Sequence, residues 1–143
     1  MNYMPLFVDM TGKKVLVVGA GRIAYRKIKT LLKYGAVVEV VSLEVAEKEI
    51  EGLDVQLSLR EFKEDDLVGK FLVAAATDDK GVNSKIVKLC EERNILVNNM
   101  TTKTDLNCRF AATIETEEYQ IAVSAKGYPK KSKQLKEKIR EIL

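Results

Sequence analysis

Lys14-Val15-Leu16-Val17-Val18-Gly19-Ala20-Gly21-Arg22-Ile23-Ala24 carries the sharpest change of pattern in the chain, from an apolar run through a glycine turn to a helical period. The run at residues 15–18 is short, fully apolar and mostly β-branched, which predicts a buried strand stopped by a glycine turn. Beyond the turn Ala24, Ile28, Leu31 and Leu32 share one helical face, Arg26, Lys27, Lys29 and Lys33 lie elsewhere, and Gly35 sits where a helix closes. Gly19-Ala20-Gly21-Arg22-Ile23-Ala24 fits G-x-G-x-x-G/A with Ala in the third place. In that pattern the first glycine permits the tight turn, the second lets a pyrophosphate approach the backbone, and the small third residue lets helix and strand pack closely. The N–H groups and positive dipole of the helix start then hold the phosphates. A bare turn of this kind can be merely structural. Its place after a strand and before a helix, opening a βαβ unit, favours dinucleotide binding.

Residues 37–41 and 71–75 predict further buried strands, 55–59 alternates as a strand does, and 95–97 gives a fifth. Residues 45–50 fit a short helix, while Val82, Ile86, Leu89 and Cys90 recur at helical spacing. Alternating strands and helices over the first hundred or so residues imply an α/β, Rossmann-like, doubly wound parallel sheet. The pattern then changes. Residues 110–114 and 120–123 predict an appended β-hairpin, and Pro129 suits the first turn of a C-terminal helix with an apolar stripe of Leu135, Ile139, Ile142 and Leu143. The expected organisation is a dinucleotide-binding domain over residues 1–109 and a hairpin with a basic helix over residues 110–143, within one compact unit.

The composition narrows the chemistry. The 143 residues are 46% hydrophobic and 31% charged, values of a soluble folded chain rather than a disordered or membrane-spanning one. There is no histidine. Imidazole bases, Ser-His-Asp triads and His-containing zinc sites are thereby excluded, and acid-base work falls to carboxylates, Lys, Tyr, Thr or water. Cys90 and Cys108 are the only cysteines and lie in no ligand or redox motif, so Cys90 reads as core, Cys108 as a small strand-entry residue, and no metal site is expected from them. The start of the chain has neither a basic lead nor a long apolar run, which with two unmotivated thiols suggests a reducing cytoplasm. The net charge of +3 is uneven: residues 126–143 hold seven basic and two acidic residues, while the remainder is −2. A basic end on a mildly acidic body suggests an anionic partner, although a solvated helix face would look the same.

Two further places line the expected crevice at the carboxyl ends of the strands. The second strand ends in Ser42-Leu43-Glu44, where an acidic residue ordinarily meets the adenosine ribose. Ser42 could bond the ribose, and Glu44 could do so or repel a 2′-phosphate. NAD is thereby favoured over NADP, with Arg22 near enough in sequence to offer an anion contact instead. Thr77-Asp78 follows the strand at 71–75, and Asp78-Asp79 also suit a helix cap ahead of Val82.

Taken together, Met4-Pro5-Leu6-Phe7, the glycine turn with Arg26-Lys27 behind it, Ala74-Ala75-Ala76-Thr77-Asp78-Asp79 with Val82-Asn83, then Val97-Asn98, and Ile121-Ala122-Val123-Ser124 with Gly127 and Pro129, resemble the precorrin-2 dehydrogenase family, the NAD-dependent module of siroheme synthase. The resemblance runs nearly from end to end. It implies oxidation of precorrin-2 to sirohydrochlorin with NAD⁺, in some relatives followed by iron insertion at the same site, in a cytoplasmic homodimer. It places Gly19, Gly21, Arg22 and Ile23, then Ser42, Leu43 and Glu44, on the nucleotide, and Thr77 with Asp78 toward the nicotinamide half. Three departures stand out. The family's key Asp is replaced by Thr101, so that Asp105 could serve from the same loop, substrate carboxylates and water could take the proton, or activity could be weak or lost. Relatives commonly continue into a helical segment beyond the point matching Leu143. Where they often have Ser-Pro, this chain has Tyr128-Pro129, leaving Gly127 the capping role.

A heavily carboxylated tetrapyrrole would be drawn to cations at Lys103, Arg109, Lys126, Lys130 and Lys131, and hydride transfer asks mainly for orientation against the nicotinamide. For metal insertion only Asp105 and the loop hydroxyls are candidates. A competing reading from another class is an NAD-binding sensor without catalysis, as in gating domains of potassium transport systems. Those carry an acidic residue where Ser42 stands and do not predict the lead at residues 4–7. A nucleic-acid partner is disfavoured, since basic residues are not interleaved with aromatics in any groove-reading motif.

Overall fold

In the computed structural model, which describes residues 2–143, the element order is β1 (Lys14–Val18), α1 (Arg22–Lys33), β2 (Val37–Ser42), β3 (Gln56–Leu59), β4 (Leu72–Ala75), α2 (Lys80–Glu92), β5 (Leu96–Asn99), β6 (Ala112–Glu115), β7 (Gln120–Val123) and α3 (Pro129–Glu141). The described residues fall into two compact units, one ending at Cys108 and the other spanning Arg109–Leu143.

The first unit is an α/β sheet of five parallel strands in the order β3-β2-β1-β4-β5. Its central strands are apolar on both faces because both are covered. Leu16 and Val18 of β1 join Val73, Ala75 and Val97 in a cluster with Ile86, Val87 and Cys90 of α2. Val15 and Val17 alternate to the opposite face, the side of Ala24, Ile28 and Leu31 on α1, and all of them are buried. Each such Leu, Ile or Val contributes roughly 1.5–3 kcal/mol by leaving water. Chain order reverses between β1 and β4, so a crevice opens at their carboxyl ends.

Several expected boundaries shift. Residues 45–50 do not form a helix; instead a 3₁₀ turn occupies Lys48–Gly52. The cause is local: the Glu47 N–H donates to the Ala20 carbonyl at 3.0 Å, which holds Glu47 extended, and helical geometry begins only after it. A second 3₁₀ turn, Glu64–Leu67, is pinned by Arg60, whose guanidinium grips Asp66 at 2.6 and 2.9 Å. β5 begins at Leu96 rather than Ile95, and β6 at Ala112 rather than Phe110.

In the second unit β6 and β7 form an antiparallel sheet of their own, with Ile114 opposite Ile121. α3 packs on this hairpin. Pro129 is in its first turn, as its missing N–H favours, but the capping position belongs to Tyr128 and not to Gly127, and no side chain caps it. Ser132 secures the approach instead, its Oγ accepting from the Ala125 N–H at 2.8 Å. Of the expected apolar stripe only Ile139 is half-buried; Leu135 is 49% exposed, Ile142 81% and Leu143 56%. No helix of the described residues is long and apolar enough to cross a membrane.

Candidate functional site

Backbone bonds lace the carboxyl ends of four strands together. Gly19 N–H donates to Val41 at 2.8 Å, Ala76 N–H to Val18 at 2.8 Å, and Met100 N–H to Ala75 at 3.0 Å. The segments after β1, β2, β4 and β5 are therefore neighbours. Gly19 has φ +113°, and a Cβ there would lie 2.6 Å from the Ala76 carbonyl carbon, so the close passage of the β4 end requires glycine. Gly21 differs. It caps α1 with ordinary φ, no side chain caps the helix, its first turn holds no acidic residue, and a Cβ would meet nothing within 4 Å. Open space before an uncapped helix start suits an approaching phosphate. Ile23 beside it is 51% exposed, and Ala24 is buried where the small third residue is needed.

After β2 the Ser42 hydroxyl donates to the Glu44 carbonyl at 2.6 Å. Leu43 and Glu44 are exposed. Arg22 is paired with Glu47 at 3.2 Å rather than turned to solvent alone.

After β4 the two acidic residues divide their work. Asp79 caps α2, its Oδ1 accepting from Gly81 at 2.9 Å and Val82 at 3.1 Å, a contact worth about 1 kcal/mol. Asp78 is exposed and takes no part in the cap. Thr77 is held by Asn83, which is wholly buried. Asn83 Oδ1 accepts the Thr77 hydroxyl at 2.7 Å and its N–H at 3.2 Å, while Nδ2 donates to the Thr77 carbonyl at 3.0 Å.

The loop after β5 is built by side chains in place of a ladder. Asn107 extends the strand edge, accepting from the Val97 N–H at 2.7 Å and donating to Ile95 at 3.1 Å, and Asn98 reaches the Cys108 carbonyl at 3.0 Å. The Thr102 hydroxyl accepts from the N–H groups of Thr104 and Asp105 at 3.0 and 3.2 Å. Within this frame the buried Asn99 bridges the two expected catalytic residues: its Oδ1 accepts the Thr101 hydroxyl at 2.8 Å, and its Nδ2 donates to Asp105 at 3.4 Å. Ser84 on α2 donates to the same Asp105 oxygen at 2.9 Å. Asn83 Nδ2 reaches Thr101 at 3.5 Å, so one chain of polar contacts runs from Thr77 through Asn83, Thr101 and Asn99 to Asp105.

Thr77, Thr101 and Asp105 are thus brought together, and the residues that do it, Asn83, Ser84 and Asn99, were not among those expected. The apolar spacing gave no signal for Asn83: it occupies the first place of the buried pattern 83, 86, 87, 90 on α2, whereas residue order points to Val82, Ile86, Leu89 and Cys90. Lys103 is exposed in the loop of the first unit. Arg109, Lys126 and Lys130 belong to the second unit: Arg109 is half-buried, Lys126 exposed with φ +56°, and Lys130 exposed in the first turn of α3. Lys131 lies over the Tyr128 ring at 5.1 Å.

Neither cysteine is in a disulfide. Burial pushes the Cys90 thiol up to about 11 and the Cys108 thiol up to about 12, the reverse of what a nucleophile or metal ligand needs. Burial also depresses Lys27 below its ordinary value. Among the described residues no three His, Cys, Asp or Glu side chains stand together as a metal site.

Comparison with known proteins agrees with this geometry. Residues 6–112 match a family profile described as "Putative NAD(P)-binding". The whole chain aligns with siroheme synthase 1 of Pectobacterium atrosepticum at 34% identity over 147 residues, 31% of that protein, and with siroheme synthase of Actinobacillus pleuropneumoniae serotype 3 at 36% over 148 residues, 30% of that protein. The chain therefore spans about a third of the length of the curated relatives it matches. Among solved structures, SirC, a precorrin-2 dehydrogenase, superposes with a TM-score of 0.81 at 30% identity, covering 99% of this chain and 71% of SirC.

Proposed function

The chain belongs to the precorrin-2 dehydrogenase family, and from that premise we propose that it oxidises precorrin-2 to sirohydrochlorin, with NAD⁺ as cofactor, in siroheme biosynthesis. The observation that carries this reading is the polar chain joining Thr77, at the end of β4, to Thr101 and Asp105 after β5, beside an uncapped glycine turn. A dinucleotide fits the residues present: Gly19, Gly21, Arg22 and Ile23 hold the pyrophosphate side, Ser42, Leu43 and Glu44 the adenosine side, and Thr77 with Asp78 the nicotinamide side. When bound, NAD⁺ supplies the two-electron oxidant; the substrate loses a hydride to it and a proton to a base.

The hydrogen bonds support different roles for the two loop residues. Thr101 has already given its proton to Asn99 and can only accept, so it positions rather than donates. Asp105 has one oxygen engaged by Ser84 and Asn99, and its other oxygen takes no hydrogen bond among the described residues. Asp105 is the group we assign to receive the substrate proton. Its hydrogen bonds to Ser84 and Asn99 in the loop that also holds Thr101 support this assignment in place of the missing family Asp.

Lys103, Arg109, Lys126, Lys130 and Lys131 are the cations assigned to the carboxylates of the tetrapyrrole. Lys130 and Lys131 support this, since they stand in the first turn of α3 with no acidic neighbour there. Basic residues at the positive end of a helix are unfavourable by a few tenths of a kcal/mol unless an anion arrives. The proposed assembly is a homodimer, for which the exposed Leu135 and Ile142 on and just beyond α3 provide apolar surface; sedimentation at the monomer mass would overturn it. Two unpaired thiols suit the reducing cytoplasm.

The test is an anaerobic incubation of the chain with precorrin-2 and NAD⁺, following the sirohydrochlorin spectrum. Turnover supports the dehydrogenase. NAD⁺ binding without turnover would favour the sensor reading.

A further inference from the structure

The corner that follows β2 carries two polar arrangements, one at Ser42 and one at Arg22, that bear on which dinucleotide the proposed reaction takes. The Ser42 hydroxyl gives its one proton to the Glu44 carbonyl, and a carbonyl has none to return. Toward a ligand Ser42 therefore presents lone pairs only, as the usual acidic residue at this place would. Arg22, the cation beside the glycine turn, is held by Glu47, whose side chain is 19% exposed against 66% for Arg22. Glu47 is itself fixed, because its N–H is bonded to Ala20 while Gly19 is bonded to Val41 at the other end of the corner. The corner is thus tied to the glycine turn on both sides of Ser42 and Glu44.

We propose that this corner selects a free ribose 2′-hydroxyl over a 2′-phosphate, with Ser42 as a fixed acceptor and Glu47 as the residue that withholds Arg22. The proposal rests on the reading of the glycine turn as a dinucleotide site. A ribose 2′-hydroxyl has a proton to offer the Ser42 oxygen. A phosphate monoester is mostly dianionic at neutral pH and sets its own oxygens against those lone pairs. Two cations at this corner are already paired, Arg22 with Glu47 and Arg60, whose backbone N–H donates to the Ser42 carbonyl, with Asp66, and the Glu47 carboxylate opposes the incoming charge. Acceptor character and negative charge, usually combined in one side chain, are here divided between Ser42 and Glu47.

Calorimetric titration of the full chain with NAD⁺ and with NADP⁺ tests this without any turnover. The wild type should prefer NAD⁺. Glu47→Gln, close in shape to the original, should move the affinity ratio toward NADP⁺ by about tenfold, and adding Arg22→Ala to it should cancel that gain. Ser42→Ala should narrow the ratio by about fivefold through lost NAD⁺ affinity. A ratio within about twofold of wild type in both Glu47→Gln and Ser42→Ala, with NAD⁺ still bound by the wild type, would overturn the inference and leave the dinucleotide site standing. A wild type that binds neither nucleotide would overturn both.

Discussion

Asn83 grips Thr77 at three points, accepting its hydroxyl and its N–H and donating to its carbonyl, from a position wholly inside the first unit. The threonine after β4 is therefore fixed in orientation before any ligand arrives. Asn83→Ala would remove the partners of two half-buried backbone groups of Thr77 and should cost about 1–2 kcal/mol, read as a lower urea midpoint at unchanged slope. A midpoint within experimental scatter of wild type would mean that Thr77 is held by something else.

The two glycines of the turn should respond in opposite ways to the same substitution. Gly19→Ala forces a methyl into the Ala76 backbone at a positive φ and should destabilise the fold by more than about 2 kcal/mol. Gly21→Ala has ordinary φ and open space, so stability should change by less than about 0.5 kcal/mol. Calorimetry should nevertheless find NAD⁺ binding weakened by about tenfold or more, because the methyl stands where the pyrophosphate approaches.

The polar chain sets an order for the loop after β5. Asp105→Asn should lower kcat by roughly a hundredfold, in the range of a lost general base, with the KM for NAD⁺ little altered. Thr101→Val should lower it less, by about tenfold, since it removes the hydroxyl's bond to Asn99 and its longer contact from Asn83 but leaves Asp105 in place. Equal, unchanged rates in both variants would remove the assignment of the proton to Asp105.

The thiols predict an alkaline response. Their folded values, raised by burial to about 11 and about 12 from 9.0, mean that the folded chain keeps protons the unfolded chain loses. That contribution to stability is complete below about pH 9 and is lost as pH rises toward the folded values. At pH 8 iodoacetamide should label neither cysteine in the native chain and both in denaturant. Rapid native labelling of Cys108 would show its sulfur to be accessible as thiolate.

How far this could be read from residue order differs by element. The strand, turn and helix at residues 14–33 were legible because apolar continuity, glycine spacing and helical periodicity agree there. The 3₁₀ turn at Lys48–Gly52 was not, since what delays it is a long-range bond from Glu47 to Ala20. Thr101 and Asp105 could be named only through the family resemblance, which puts a key Asp in the loop after the fifth strand. Their supports could not: Asn99 lies next to Asn98 with nothing in composition to say which faces the loop, and Ser84 meets Asp105 only once α2 is packed. Asn83 was hidden too, because residue order points to Val82, Ile86, Leu89 and Cys90 as the apolar face, whereas the folded helix buries 83, 86, 87 and 90.

One anaerobic measurement tests the dehydrogenase most directly: the NADH formed per molecule of precorrin-2 consumed when wild-type chain, NAD⁺ and substrate are mixed. One NADH should appear for each sirohydrochlorin produced, and Asp105→Asn should slow both together. Bound NAD⁺ that stays oxidised while precorrin-2 persists would contradict it.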